Sequence, residues 1–440
     1  MSHKIIIGRN AEDLVNFGDR GTVYLGKLYV KMGPTTSISN DVFLDVARTH
    51  VMLIAGKRGS GKSYSASVIA EEISRMEEDV KKNIAVLFFD TMGIFWTMKY
   101  PNRRQEHLLE QWKLRPSGIN INVFAPSGYY DKYKKMGIPA DEPFSIKTSE
   151  LDAGDWAGVF GVGVTDPIGI AIEKILSELK DKGRDYSIKD IINMVRNDEK
   201  YSKDIKDAVE NRFLAADKWG LFSETGTSIE DLMKPGSVNV LDISVYTHTS
   251  GDWSIKGLVI GLICKKLLNE RMTARKSEEL EDIESLGSYF QTSKDKEKPM
   301  VWIMIDEAHE FLPRVGKTPA TDALVQLLRE GRQPGISLVL VTQQPGEIHK
   351  DVLTQSDIVL SHTLTSRMDI EALNSMMQTY LVTDLAGYIN NLPKLRGSAI
   401  ILDDNSERIY PIRVHPKRSW HGGEAPSAIK LKKEVEFDLG

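Results

Sequence analysis

The chain has 440 residues, 57 Lys+Arg against 62 Asp+Glu for a formal net charge of −5, 41% hydrophobic and 27% charged residues, 34 Gly and 17 Pro. That balance excludes wholesale disorder, and the length implies two or three folding units or one large α/β core with attachments. The slightly acidic total gives no overall attraction to nucleic acid, so any such binding has to come from a local basic surface.

Taken in chain order, residues 1–50 read as short strands and turns. Met1 to Gly8 lacks the apolar core of a signal peptide. Gly21 to Val30 (GTVYLGKLYV) has the aromatic and β-branched character of a hairpin arm. From Val51 the texture changes to βα units. Val51–Ala55 (VMLIA) and Ile84–Asp90 (IAVLFFD) are continuous apolar runs, as expected of parallel strands buried on both faces, with a crossover helix over Ser63–Arg75 between them. Ile119–Phe124 is a further candidate strand. Between 151 and 235 helical periodicity takes over, clearest at Ile168–Leu179, Ile188–Val195 and Asp204–Trp219, which predicts a helical insertion. Strand character returns at Val238–Ile243, followed by a helix over Trp253–Arg271. That helix contains the single cysteine, Cys264, in the run LVIGLICKKLL; it reads as buried packing. One cysteine permits no internal disulfide and fits a reducing cytoplasm. The longest apolar stretch, Leu258–Leu268, falls far short of the roughly 20 residues that span a membrane. The charge-dense residues 274–298 read as a mobile surface excursion. Buried strands follow at Val301–Ile305 and Ser337–Val341, and SAIILDD and ERIYPIRV alternate strand and turn before a polar tail.

Gly56-Lys57-Arg58-Gly59-Ser60-Gly61-Lys62-Ser63 matches G-x-x-x-x-G-K-[ST] without a mismatch, after an apolar strand and before a helix. Glycines at these positions let backbone N–H groups wrap phosphates, and the helix dipole adds attraction for anions. The pattern assigns Gly56, Arg58, Gly59, Ser60, Gly61, Lys62, Ser63 and the following Tyr64 to ATP binding, with Lys62 on the β- and γ-phosphates and Ser63 on Mg²⁺. Val301 to Glu307 (VWIMIDE) is an apolar strand ending in two carboxylates. Asp306 suits the Mg²⁺ shell, and Glu307 suits a base that polarises the attacking water. Downstream, LREGRQPGISLVLVTQQP offers Gln343 at a strand tip, where its amide can sense the γ-phosphate. Arg332, on the loop entering that strand, can reach a phosphate across a subunit boundary. His309 reads as a packing or capping residue on a helix after Glu307. No His/Cys/Asp cluster has metal-ligand spacing, so Mg²⁺ with the nucleotide is the expected metal.

The ordered set GKRGSGKS, IMIDEAHEFLP, LREGRQPGISLVLVTQQP and RVHPKRSWHGG, spread discontinuously over residues 45–422, resembles the HerA branch of the HerA/FtsK superfamily. The resemblance implies an α/β fold: a RecA-like P-loop NTPase core with a mostly parallel sheet, a hexameric ring, and ATP-driven translocation on double-stranded DNA. It makes Lys62, Ser63, Asp306 and Glu307 the phosphate, Mg²⁺ and hydrolysis residues, Gln343 the sensor amide and Arg332 the arginine supplied to the neighbouring subunit. Asp90 matches an acidic strand tip, although Ile94 stands where many members carry another acid. Relatives of this kind work with a NurA-type nuclease or with an antiviral effector, and the sequence does not choose between them. The expected organisation is a short N-terminal β segment at 1–48 standing for the family's larger barrel, core at 49–150, helical insertion at 151–235, core again at 236–415, and a tail at 416–440.

DNA contacts are expected from basic loops, with Arg314 and Lys317 in PRVGKTP, and Lys132, Lys134 and Lys135 beside Tyr129, Tyr130 and Tyr133. Two alternatives to a motor stay open at this point. One is an ATP-regulated ring scaffold that assembles an effector. The other is a small-molecule P-loop kinase, disfavoured by the absence of an arginine-rich acceptor lid and by a glutamate suited to water activation.

Overall fold

The computed structural model describes residues 4–32, 35–183, 185–248, 252–286, 298–376 and 385–424. Among the described residues fifteen strands form in chain order: β1 (Ile5–Ile7), β2 (Thr22–Met32), β3 (Thr35–Asp45), β4 (Val51–Ala55), β5 (Ile84–Asp90), β6 (Asn122–Pro126), β7 (Glu142–Phe144), β8 (Ile146–Lys147), β9 (Phe222–Ser223), β10 (Val238–Asp242), β11 (Met300–Ile305), β12 (Ile336–Thr342), β13 (Ile358–Ser361), β14 (Ser398–Asp403) and β15 (Arg408–Val414). Apart from the small β8–β9 pair, they join one sheet in the order β1-β3-β2-β15-β14-β13-β4-β12-β11-β5-β10-β6-β7. The stretch from β13 to β7 is parallel, and β14, β15, β2 and β3 add antiparallel partners. The result is a mostly parallel α/β core, as the apolar runs implied, with the RecA-like character that the resemblance implied.

Side-chain alternation explains why those runs are apolar throughout. In β4, Met52 and Ile54 enter the core under the helix Lys62–Ser74, whereas Leu53 and Ala55 enter the opposite core with the helical region. Both faces of β4 are buried, so either register disfavours a polar residue without a hydrogen-bond partner. The predicted helices form at Pro167–Asp181, Ile188–Asn197 and Lys203–Asp217, preceded by Ala153–Phe160. Capping boxes at Asp152/Asp155 and Ser187/Asp190 start two of them. Trp156 is their hub, with ring centroids 4.8 Å from Phe213 and 5.0 Å from Phe222. Their apolar faces share one core with the sheet.

Three expectations change. The N-terminal stretch contains a helix, Ala11–Phe17, capped by the Asn10 side chain on the Asp13 N–H at 2.7 Å. The N-terminal hairpin is continuous with the core sheet through β2 and β15. The helix beginning at Asp252 runs on to Leu286, so residues 274–286 are helical; residues 287–297 lie outside the described residues. Charge density here supports a helix because the pairs are spaced for it: Arg275 meets Glu278 and Glu279 at i+3 and i+4, both at 3.3 Å. Cys264 is buried within this helix, as read. Among the described residues no helix is long and apolar enough to cross a membrane.

After β15 the chain crosses over the helix Lys62–Ser74 as a strap. Glu71 of that helix is fully buried and accepts the N–H groups of Arg418, at 3.1 Å, and Ser419. Lys417, also buried, donates to the Trp420 carbonyl at 3.0 Å. Burial pushes the Glu71 carboxyl up against the opposing pull of Lys417, and pushes the Lys417 ammonium down to about 8 against that of Glu71. Glu71→Ala removes the acceptor of two strap N–H groups and leaves a buried cation without its counter-charge. Its expected cost is about 3–5 kcal/mol in a urea unfolding series. A loss under about 1 kcal/mol would show that the strap does not depend on this anchor.

Candidate nucleotide site

The tips of four adjacent strands, β4, β12, β11 and β5, build the site. β4 ends at Ala55, and the loop Gly56–Gly61 leads into the helix Lys62–Ser74. Gly59 and Gly61 have φ of 74° and 110°, conformations an L side chain resists, although nothing crowds Gly59. Gly56 is required by packing: a Cβ there would lie 2.5 Å from Ser60 Oγ and 2.8 Å from His362 Cβ. Arg58 is exposed at the loop's tip. Lys62 is buried, and its Nζ curls back to the Lys57 carbonyl at 3.3 Å. Burial pulls the ammonium down, and Glu307 and Asp306 push it back up.

β11 delivers the carboxylates. Asp306 Oδ2 accepts the Ser63 hydroxyl at 2.7 Å, and Oδ1 accepts the Glu307 N–H at 2.9 Å. Burial raises the Asp306 carboxyl against those two hydrogen bonds and Lys62. Glu307 is one of three non-glycine residues with positive φ among the described residues, at φ 51° and ψ 44°. That turn aims its carboxylate back toward Lys62. Its pKa is pushed up to about 7 by burial and by Asp306, with Lys62 and Arg58 opposing. Glu307 Oε2 and Ser60 Oγ are both buried and lack hydrogen-bond partners. Two orphaned oxygens, a loop of left-handed glycines, an inward lysine and a hydroxyl–carboxylate pair fit a nucleoside triphosphate with Mg²⁺.

Gln343 follows Thr342 at the end of β12, between the other two tips; the register sets Thr342 beside Ala55. It is half-buried. Arg332 is not brought into this site. It precedes the same strand and so sits at the opposite edge of the sheet, exposed and without an ion pair among the described residues. Arg329, its neighbour in sequence, is committed to Asp351 through Nε and Nη2, both at 2.6 Å from Oδ2. Both arginines line a polar cleft of about 840 Å³ with Arg48, Arg275 and Lys276.

Asp90 lies at the tip of β5, in register with Asp242 of β10. Both are buried; Asp90 is pushed up to about 7 by burial and by Asp242. Its oxygens accept the Gly93 and Phe95 N–H groups at 2.7 and 2.8 Å, so this acid shapes its own turn. Tyr64 directs its hydroxyl to Gln105 at 2.8 Å and receives the Lys417 N–H, and its ring meets His421 edge-on at 5.2 Å.

Of the basic candidates, Arg314 is exposed on the turn after β11, whereas Lys317 pairs with Asp322 at 2.7 Å. Lys132, Lys134 and Lys135 are on a helix, Ser127–Met136, and not on a loop; Gly137 in the left-handed conformation ends it. The neighbouring tyrosines are occupied: Tyr133 is buried and donates to Asp242 at 3.0 Å, Tyr129 packs edge-on against Tyr246, and Tyr130 donates to the Asp141 carbonyl.

Two histidines carry more than the sequence reading gave them. His309 is on a single 3-10 turn, Ala308–Glu310, facing the site rather than a helix core; Pro313 leaves too little chain for a helix. His362 follows β13 and is fully buried, with Nδ1 donating to the Ser398 carbonyl at 3.0 Å and Nε2 accepting from Ser65 at 2.9 Å. Burial depresses it to about 4, so it braces the loop and its helix as a neutral ring. No local motif marks His362, since its contacts come from strand order alone.

Two family descriptions match the chain: Helicase HerA, central domain, over residues 23–267, and Helicase HerA-like C-terminal, over residues 286–414. The chain is 24% identical over 357 residues to the DNA double-strand break repair helicase HerA of Sulfurisphaera tokodaii, covering 78% of this chain and 60% of that one. It is 25% identical over 373 residues to the probable DNA double-strand break repair helicase HerA of Methanocaldococcus jannaschii, covering 78% and 68%. It thus spans 60% of the length of the first of these relatives. In fold it is similar to VirB4 of Thermoanaerobacter pseudethanolicus, with a TM-score of 0.55, 12% identity, and 89% of this chain and 96% of that one covered. Joined to the phosphate loop, the paired acids and the sheet that aligns them, these matches show that the chain belongs to the HerA helicase family.

Proposed function

We propose that this protein hydrolyses ATP as a subunit of a hexameric ring and uses the energy to move along double-stranded DNA in the cytoplasm, serving a nuclease or an antiviral effector. The observation that carries the ATPase is Glu307: a half-buried carboxylate with one buried, unpartnered oxygen, held by a left-handed turn beside the Ser63–Asp306 pair. In this reading the loop from Gly56 to Gly61 and the Lys62 ammonium bind the phosphates, and Glu307 orients and deprotonates the water. Gln343 reports whether the γ-phosphate is present. Ser63 and Asp306 would hold Mg²⁺, which when bound neutralises phosphate charge. Arg332, exposed at the far edge of the sheet, serves the neighbour's site. The DNA substrate is supported by the relatives, which are named as DNA double-strand break repair helicases. Arg314, exposed after the Ala308–Glu310 turn with Nη1 3.4 Å from the Gly346 carbonyl, is one basic group that could meet phosphates.

The test is steady-state ATP hydrolysis alone, with linear duplex DNA and with single strands, across a salt series. Duplex DNA should stimulate turnover several-fold, and the stimulation should fade as salt rises. Low turnover indifferent to DNA at every salt would overturn the motor and favour a ring scaffold.

A further inference from the structure

His309 has no part in the reading above, yet it touches both halves of the site. Its side chain is buried in the turn after Glu307. Nδ1 stands 3.2 Å from Thr342 Oγ1 and 3.6 Å from Glu307 Oε2, and Nε2 stands 3.5 Å from Glu310 Oε1. Thr342 is the last residue of β12, and its hydroxyl also accepts the Gln344 N–H at 3.0 Å. The hydroxyl that meets the imidazole therefore shapes the turn that carries Gln343. Glu307 Oε2 is the orphaned oxygen already described, and His309 Nδ1 lies just beyond hydrogen-bond distance of it. A ring set among three polar groups is a poor fit for apolar packing.

We propose that His309 is a positioning residue that shares Nδ1 between the Glu307 carboxylate and the Thr342 hydroxyl, tying the orientation of the base to the turn that bears Gln343. The proposal rests on Glu307 acting as the base. One ring nitrogen carries either a proton or a lone pair, so it serves one partner fully at a time. With the proton on Nδ1, the ring donates to Glu307 Oε2 and leaves Oε1 for water. With the proton on Nε2, facing Glu310, Nδ1 accepts from Thr342 and Glu307 loses its anchor. A shift of the Gln343 turn that withdraws Thr342 thus releases the imidazole to the base. Hydrolysis is enabled when the sensor strand has moved, with no contact between Gln343 and Glu307 required.

Asparagine and glutamine separate this from a structural role, because the Asn amide stands where Nδ1 does and the Gln amide where Nε2 does. Turnover, KM for ATP, affinity for a non-hydrolysable ATP analogue and thermal midpoint are measured for each variant. His309→Asn should keep kcat within about threefold, whereas His309→Gln and His309→Ala should lose roughly 10- to 100-fold in kcat with KM and analogue affinity held. In a double-mutant cycle, Thr342→Val, which leaves Nδ1 to Glu307 alone, should raise basal kcat in the wild-type background and have a smaller effect in His309→Ala. Equal losses for Asn and Gln, losses confined to KM, or independent effects of Thr342 and His309 would each overturn the proposal. Glu307→Gln, run alongside, keeps the two readings apart. If it turns over normally, the base assignment fails; if it is inert while His309→Gln matches wild type, only the role of His309 fails.

Discussion

Glu307→Gln should bind ATP as tightly as wild type and hydrolyse it about 10²- to 10⁴-fold more slowly, the range a positioned general base supplies. The substitution keeps the volume and the left-handed turn but removes the group that takes the proton. Because the native carboxylate is disfavoured by burial and by Asp306, the neutral amide should also raise the thermal midpoint. Loss of turnover with a gain in stability is the signature of a group kept for chemistry at a cost to the fold. Equilibrium binding of a labelled ATP analogue, single-turnover hydrolysis and a melting curve check all three. Turnover within tenfold of wild type would remove Glu307 from the base role.

Arg332→Ala should reduce turnover by about 10³- to 10⁵-fold in the assembled ring, the range attributed to an arginine finger, without changing the nucleotide affinity of an isolated subunit. The reason is positional. A seven-residue strand separates Arg332 from Gln343, so within one chain the guanidinium lies at the wrong edge of the sheet to meet its own phosphate loop. Mixing Arg332→Ala subunits with Glu307→Gln subunits should restore part of the activity, because some interfaces then pair an intact base with an intact arginine. Arg329→Ala is the contrast: with its guanidinium held by Asp351, its loss should lower stability more than turnover. Failure of the mixture to recover activity, with rings confirmed by light scattering, would show that Arg332 does not act across the interface.

Much of the site was legible because its parts are local. The phosphate loop, the lysine and the two acids are each fixed by a strand and the turn that follows, and a dry parallel strand announces itself as an unbroken apolar run. Gln343 and Arg332 were placed by the same logic at the two ends of β12. What the sequence hid depends on contacts between distant segments. His362 matters only because β13 lies beside β4, and His309 faces Thr342 only because β12 lies beside β11. The helix to Leu286 was obscured by composition, since its charged turn looks solvated until the i+3 and i+4 pairing is noticed. The lysines of the helix Ser127–Met136 suggest a loop in the sequence because a short amphipathic segment between Pro126 and Gly137 also suits a turn. Asp90 is visible in the sequence as an acidic strand tip, whereas its buried partner Asp242 emerges only from the sheet register.

The strap has a consequence for the order in which the chain folds. Tyr64, directly after the phosphate-loop serine, is hydrogen-bonded to a residue 353 positions later. A contact of that span closes a very long loop, and the entropy of closure must be met before the contact returns anything. During synthesis the βα unit with the glycine loop can form early, but Glu71 lacks the N–H groups of Arg418 and Ser419 and the charge of Lys417 until the strap arrives. Such a chain would hold its nucleotide-binding helix loosely until translation has passed the strap. ATP, binding best to the completed arrangement, would then act on the newborn chain as a ligand that draws folding to its end.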